Sequence, residues 1–188
     1  MKILIYGSRE FAQTVIELAV DCGHEVAGCI DDFSTGQGVL GTFEQVQRTH
    51  PSSAYGIALA CGYSNLPARW AAWRRLQAAG YQAPALVHPR AYVARSAVIE
   101  AGAMLMAASV VDVRARIGEV AVLWPSACVN HDSVIGNNCF ISPNATICGY
   151  VSLGDDSFVG AGAAIVDHCK VPRASRIKML SRYIGEKV

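Results

Sequence analysis

His131 and Asp132 are adjacent and of types that can do chemistry. An imidazole exchanges a proton near neutral pH, and a neighbouring carboxylate can assist it, so the pair suits general-base work. His131 is the only histidine between His88 and His168, and Gly149 follows it by eighteen residues. A glycine there lets a reacting group approach the backbone closely. A second set of polar positions lies earlier: Gly7-Ser8-Arg9, Asp31-Asp32, and Gly62-Tyr63 with Arg69. A turn glycine and the helix start after it offer N–H groups and positive dipole to a phosphate or sugar oxygen. The seven cysteines form no CxxC pair and no Cys/His cluster at metal spacing, so neither a metal site nor a disulfide is expected.

The element that must position His131 is a repeat. From Val87 to Val171 an aliphatic residue returns at every sixth position, and four residues later comes a small one, Val151 being the exception. A period of six fits neither an ordinary helix nor a hairpin sheet. It fits a parallel β-helix, in which each coil buries its face only by stacking on its neighbours. At three hexapeptides per turn the repeat makes about five coils, with the small residues where the chain turns a corner. His131 holds the third place of its hexapeptide, beside a corner and outside the aliphatic column. Gly149 then stacks one coil over it.

Ahead of the repeat, Lys2 to Tyr6 reads as a buried strand, about Phe11 to Cys22 as a helix, and Glu25 to Ile30 as a second strand. Ser34 to Gly41 reads as a loop, Tyr55 to Ala60 as a third strand, and about Pro67 to Ala79 as a helix capped by Asn65 and stopped by Gly80. Strand, tight turn, helix, strand opens a doubly wound α/β domain, which binds ligands at the carboxyl ends of its strands. A nicotinamide fingerprint is absent, since Arg9 and Ala12 stand where GxGxxG needs glycines. The expected organisation is an α/β domain over 1–85, a β-helix over 86–176 and a tail over 177–188.

The chain has 188 residues, 52% of them hydrophobic, and a formal net charge of +1. That balance gives no basic stripe for nucleic acid. Neither a signal peptide nor a membrane span is read, so a cytoplasmic location is expected. A narrow prism with apolar flanks such as Met104, Met106 and Val122 is expected to cover them by forming a homotrimer.

Taken together, the Gly7 turn, Asp31-Asp32-Phe33, Gly62-Tyr63 with Arg69, Leu86-Val87-His88-Pro89 and His131-Asp132-Ser133-Val134-Ile135-Gly136 resemble a family of bacterial sugar acyltransferases. These are the nucleotide-aminosugar N-acetyltransferases and sialic acid O-acetyltransferases of surface glycan synthesis. The resemblance implies a Rossmann-like nucleotide-sugar-binding domain, a left-handed β-helix, a trimer, and acetyl-CoA as acyl donor. It implies His131 as the base that takes the acceptor's proton, assisted by Asp132, with the Gly149 N–H facing the oxyanion. It further implies that Ala161 and Gly162 line the pantetheine arm, and that Gly7, Ser8, Arg9, Asp31, Asp32, Gly62, Tyr63 and Arg69 hold the nucleotide sugar. Lys170, Arg173, Arg176 and Lys178 are candidates for the CoA phosphates. No well-placed thiol or serine nucleophile stands beside His131, so direct attack in a ternary complex is expected. The alternatives are a sugar O-acetyltransferase and a non-catalytic nucleotide-sugar-binding scaffold. Phe140 departs from the family's second histidine, Trp124 from its asparagine, and the Gly-x-Pro-Ala-Lys ending is missing.

Overall fold

In the computed structural model, which describes residues 1–185, the chain divides into two compact units, Met1–Leu86 and Val87–Val188. The first is built on a four-stranded, all-parallel sheet. Its strands are β1 (Lys2–Tyr6), β2 (Glu25–Ile30), β3 (Val39–Gly41) and β4 (Tyr55–Leu59), in the order β3-β2-β1-β4. Ile3, Leu4 and Ile5 are fully buried, as a continuous apolar run in a central parallel strand requires. Helix α1 (Glu10–Asp21) turns Ala12, Val15, Leu18 and Ala19 inward. Helix α3 (Leu66–Ala78) starts at Asn65, whose side chain accepts from the Ala68 N–H at 3.0 Å.

The stretch read as a loop is partly ordered. Val39–Gly41 forms β3, pairing Cys29 with Val39 and Ile30 with Gly41. Helix α2 (Phe43–Thr49) then opens on a capping box in which Thr42 and Gln45 satisfy each other's backbone N–H groups.

The second unit is a parallel β-solenoid. Seventeen two-residue strands, from Leu86–Val87 to Arg182–Tyr183, stack in three parallel sheets among the described residues. The register advances eighteen residues per coil, pairing Ile117 with Ile135 and Ile135 with Leu153. The aliphatic column is the core, with Val111, Ile117, Leu123, Val129, Ile141 and Ile147 fully buried. Each such side chain stabilises the fold by about 1.5–3 kcal/mol relative to exposure. The small column is buried beside it, and even Val151 fits there, 1% exposed.

Three expectations need correction. The corner is not made at the small residue but one place earlier. Every sixth residue from Ala108 to Leu180 has φ between 49° and 64°, and among these only Gly162 is a glycine. Such left-handed backbone is costly outside glycine, and here the ladder of stacked coils holds it in place. The small residue that follows simply points inward. Secondly, 177–183 is not tail: Ile177 continues the buried column at 6% exposure, and Tyr183 packs against the same core. Residues 186–188 of that expected tail lie outside the described part. Thirdly, Met104, Met106 and Val122 are 0%, 4% and 0% exposed within the single chain, so they offer no flank for a partner to cover. Among the described residues, no helix is long and apolar enough to cross a membrane.

Candidate functional sites

At the carboxyl ends of β1, β2 and β4 a cleft of about 740 Å³ opens, with a smaller space of about 400 Å³ beside it. Gly7, Ser8, Arg9, Asp31, Asp32 and Gly62 line the larger one, and Arg69 lines the smaller. Tyr63 lines neither and sits 44% exposed in a short 3-10 turn, so it does not join the others. Gly7 is required by sterics: its φ is 120°, and a Cβ would sit 2.7 Å from the Ala60 carbonyl oxygen. Its N–H is not free, because it donates to the Ile30 carbonyl at 2.8 Å.

The two carboxylates expected to meet ligand are engaged internally. Asp31 accepts from the Ser8 hydroxyl at 2.5 Å and from the Phe33 and Ser34 N–H groups at 2.9 Å each. Asp32 accepts from the Phe43 N–H at 2.7 Å, the Tyr6 hydroxyl at 2.7 Å and Arg75 at 2.5 Å. Burial opposes ionisation at both acids, but these donors outweigh it and hold both carboxyls below their ordinary range. Burial, together with the bond to Asp32, pushes the Tyr6 phenol well up. Arg69 is 1% exposed, and its Nε donates to the Cys61 carbonyl at 3.0 Å, so it braces the end of β4 from within. The cleft's remaining polar resources are the start of α1, which no Arg9 side-chain cap closes, and the exposed Arg9 itself. Phe33, 93% exposed, forms part of its wall.

On the solenoid, His131 and Asp132 meet at one corner. The His131 Nδ1 lies 2.9 Å from an Asp132 carboxylate oxygen, and the imidazole is 48% exposed. Arg114, one coil away, grips the same carboxylate with two bonds of 2.6 and 2.8 Å. Those bonds from Arg114 and then His131 hold the Asp132 carboxyl at about 2. An ionised carboxylate can only accept, so Nδ1 carries a proton, and in the neutral imidazole Nε2 presents a lone pair.

Gly149 is buried directly under the ring: a Cβ there would lie 2.7 Å from His131 Cε1 and 2.9 Å from Nε2. The close approach this glycine permits is thus first of all that of the imidazole. Its neighbours' N–H groups are committed, Cys148 to Ile165 and Tyr150 to His131, whereas the Gly149 N–H meets no backbone acceptor among the described residues.

Two residues of this corner escaped the sequence reading, Arg114 and Tyr150, while His168, read there as a surface or packing histidine, stacks on Tyr150. The Tyr150 ring stands edge-on to His131 at 5.3 Å and stacks on His168 at 4.7 Å. Arg114, Asp132, Tyr150 and His168 are eighteen residues apart and share the left-handed corner column, and that common place in the repeat was the available signal. Elsewhere the expected ligands are less open. Leu180 lies 2.8 Å from where a Gly162 Cβ would be, and its N–H donates to the Ala161 carbonyl. Arg173 is paired with Asp156 at 2.8 Å, and Arg176 lies over the Phe158 ring. Phe140 is 1% exposed, in register between Val122 and Phe158, so it packs where a histidine would be desolvated.

Residues 114–149 match the family described as bacterial transferase hexapeptide (six repeats). No curated protein matches the chain in sequence. Solved structures do match its fold. The acetyltransferase domain of PglB from Neisseria gonorrhoeae FA1090, in complex with acetyl coenzyme A, is 25% identical over 94% of this chain and 92% of that one, with a TM-score of 0.83. A histidine-to-asparagine variant of perosamine N-acetyltransferase from Caulobacter crescentus, in complex with CoA and GDP-perosamine, is 23% identical over 100% and 90%, with a TM-score of 0.92. WeeI from Acinetobacter baumannii AYE is 19% identical over 100% and 93%, with a TM-score of 0.82. Residues 114–149 thus carry the hexapeptide repeat, and the chain shares the fold of the PglB acetyltransferase domain and of perosamine N-acetyltransferase.

Proposed function

We propose that the protein is a cytoplasmic, homotrimeric acetyltransferase, its β-helix wound left-handed, that moves an acetyl group from acetyl-CoA to the amine of a nucleotide-linked amino sugar. The observation that carries this reading is the orientation of His131. Its Nδ1 faces an ionised Asp132, which leaves Nε2, on a half-exposed ring, as the proton acceptor.

In the proposed reaction the amine attacks the thioester carbonyl carbon while Nε2 takes the amine's proton. The tetrahedral intermediate collapses by breaking the carbon–sulfur bond, and the departing sulfur receives that proton, giving an amide and free CoA. The Gly149 N–H is the donor assigned to the developing oxyanion. The α/β cleft takes the nucleotide end through the start of α1 and Arg9, with Phe33 offering an apolar face to the base. Asp31 and Asp32 shape that cleft. The structures that share this fold with CoA, acetyl-CoA or GDP-perosamine bound support the pairing of donor and acceptor.

The test is an acetyl-CoA assay with a panel of nucleotide-linked amino sugars, followed by mass spectrometry of the product. His131→Ala should lower turnover by about a hundredfold or more while leaving binding of both substrates nearly intact. If the wild type acetylates no such acceptor, the reading fails. Light scattering that gives a monomer mass would refute the trimer separately.

A further inference from the structure

Beside His131 the least expected group is Arg114. It occupies a left-handed corner with φ of 59°, one coil from Asp132 at 60°, and the shared backbone conformation aims both side chains along the same edge. Its Nε and Nη2 take one carboxylate oxygen each, at 2.6 and 2.8 Å. The oxygen that receives Nη2 is also the one that faces His131 Nδ1. Tyr150, one coil beyond Asp132, sets its ring edge against His131. The four side chains thus form a chain: Arg114 to Asp132, Asp132 to His131, His131 to Tyr150.

A lone carboxylate at a solenoid corner rotates and offers its neighbour either oxygen in any plane. A guanidinium fork fixes that plane, because it binds both oxygens at once and is rigid. We propose that Arg114 is the positioning residue of this corner: its fork locks Asp132 against the Nδ1 of His131, so that the imidazole is held as its Nδ1–H tautomer with Nε2 free to take a proton. The consequence for transfer rests on the acetyltransferase reading, whereas the consequence for the imidazole does not.

The experiment has two readouts on the full chain. The first is the nitrogen NMR spectrum of ¹⁵N-histidine-labelled protein at alkaline pH, with the His131 signals assigned by their loss in His131→Ala. The wild type should show the Nδ1–H form, and Arg114→Gln should shift the population towards the Nε2–H form that histidine prefers in water. The second readout is steady-state transfer: Arg114→Gln should lower kcat by about ten- to a hundredfold, the scale of a misplaced reacting group, with both KM values little changed. Arg114→Lys, which keeps the charge but not the fork, should recover only part of each effect. The corner backbone already carries a non-glycine residue, so neither change adds strain there.

Wild-type tautomer and kcat in Arg114→Gln would overturn the proposal, and full recovery by lysine would overturn the part assigned to the fork. Failure of the wild type to acetylate any acceptor would sink the acetyltransferase reading, and the NMR arm would still decide the role of Arg114.

Discussion

The α/β cleft and the solenoid corner each gather acids with other polar side chains, and they use them in opposite ways. In the cleft, Asp31 and Asp32 spend their oxygens on Ser8, Tyr6, Arg75 and three backbone N–H groups. Each accepts from three donors, and these bonds hold the strand ends and the start of α2. At the corner, Asp132 also saturates itself, but one of its partners is His131, and the effect is to leave a different atom, Nε2, unengaged. An acid in a pocket therefore marks chemistry only when its bonds leave another group free. The cleft is shaped by saturated acids, and the corner is pointed by one.

The largest effect expected tests whether the corner depends on the stack beneath it. Ile147 is fully buried and in register between Val129 and Ile165, so Ile147→Ala should cost about 2–5 kcal/mol by chemical denaturation. A cost below about 1 kcal/mol would mean that the coils bear strain independently. Next comes Gly149→Ala. The added methyl would push the His131 ring aside, so turnover should fall by up to about a hundredfold. Stability should change little, since Gly149 has no left-handed backbone to protect. Asp32→Asn follows on the cleft side: it weakens a charged acceptor with three donors and should cost about 2 kcal/mol. If it instead abolished nucleotide binding with stability intact, Asp32 would be a ligand after all and the contrast between the two regions would fall.

The solenoid was legible because its signal is one register of apolar residues, and that register reached further than it was followed, through Ile177 to Tyr183. His131 stood out for the same reason, as a polar break beside a regular column. Its partners did not. Arg114 and Tyr150 belong to the corner column, where Arg, Asp, Tyr, Asn and Leu all occur, because that place is defined by backbone conformation and imposes no side-chain type. Asp31 and Asp32 were placed at a strand end by the pattern, but no local pattern tells whether a carboxylate faces solvent or the amides of Phe33, Ser34 and Phe43. The cap of α2 is readable as Thr42-Phe43-Glu44-Gln45, whereas β3, three residues long and ending in Gly41, is too short to carry a pattern of its own.

The smallest expected effect separates the two regions by pH and salt. Asp132 has its carboxyl lowered from an ordinary value near 3.8 to about 2, by Arg114 first and His131 second. A group lowered on folding contributes stability above its unfolded value and loses it as pH falls through the folded one. The difference in melting temperature between wild type and Asp132→Asn should therefore shrink between about pH 4 and pH 2. The main partner of Asp132, Arg114, is exposed, so the difference should be small and should fade in about 1 M salt, where charges are screened within about 3 Å. The Asp32 carboxyl is lowered too, against burial, by the Phe43 N–H and the Tyr6 hydroxyl as well as by Arg75. The corresponding difference for Asp32→Asn should also decline below pH 4, and it should survive the salt. Equal salt sensitivity of the two variants would show that the Arg75 ion pair, more than the Phe43 N–H and the Tyr6 hydroxyl, holds Asp32, and would remove the distinction between the two acids.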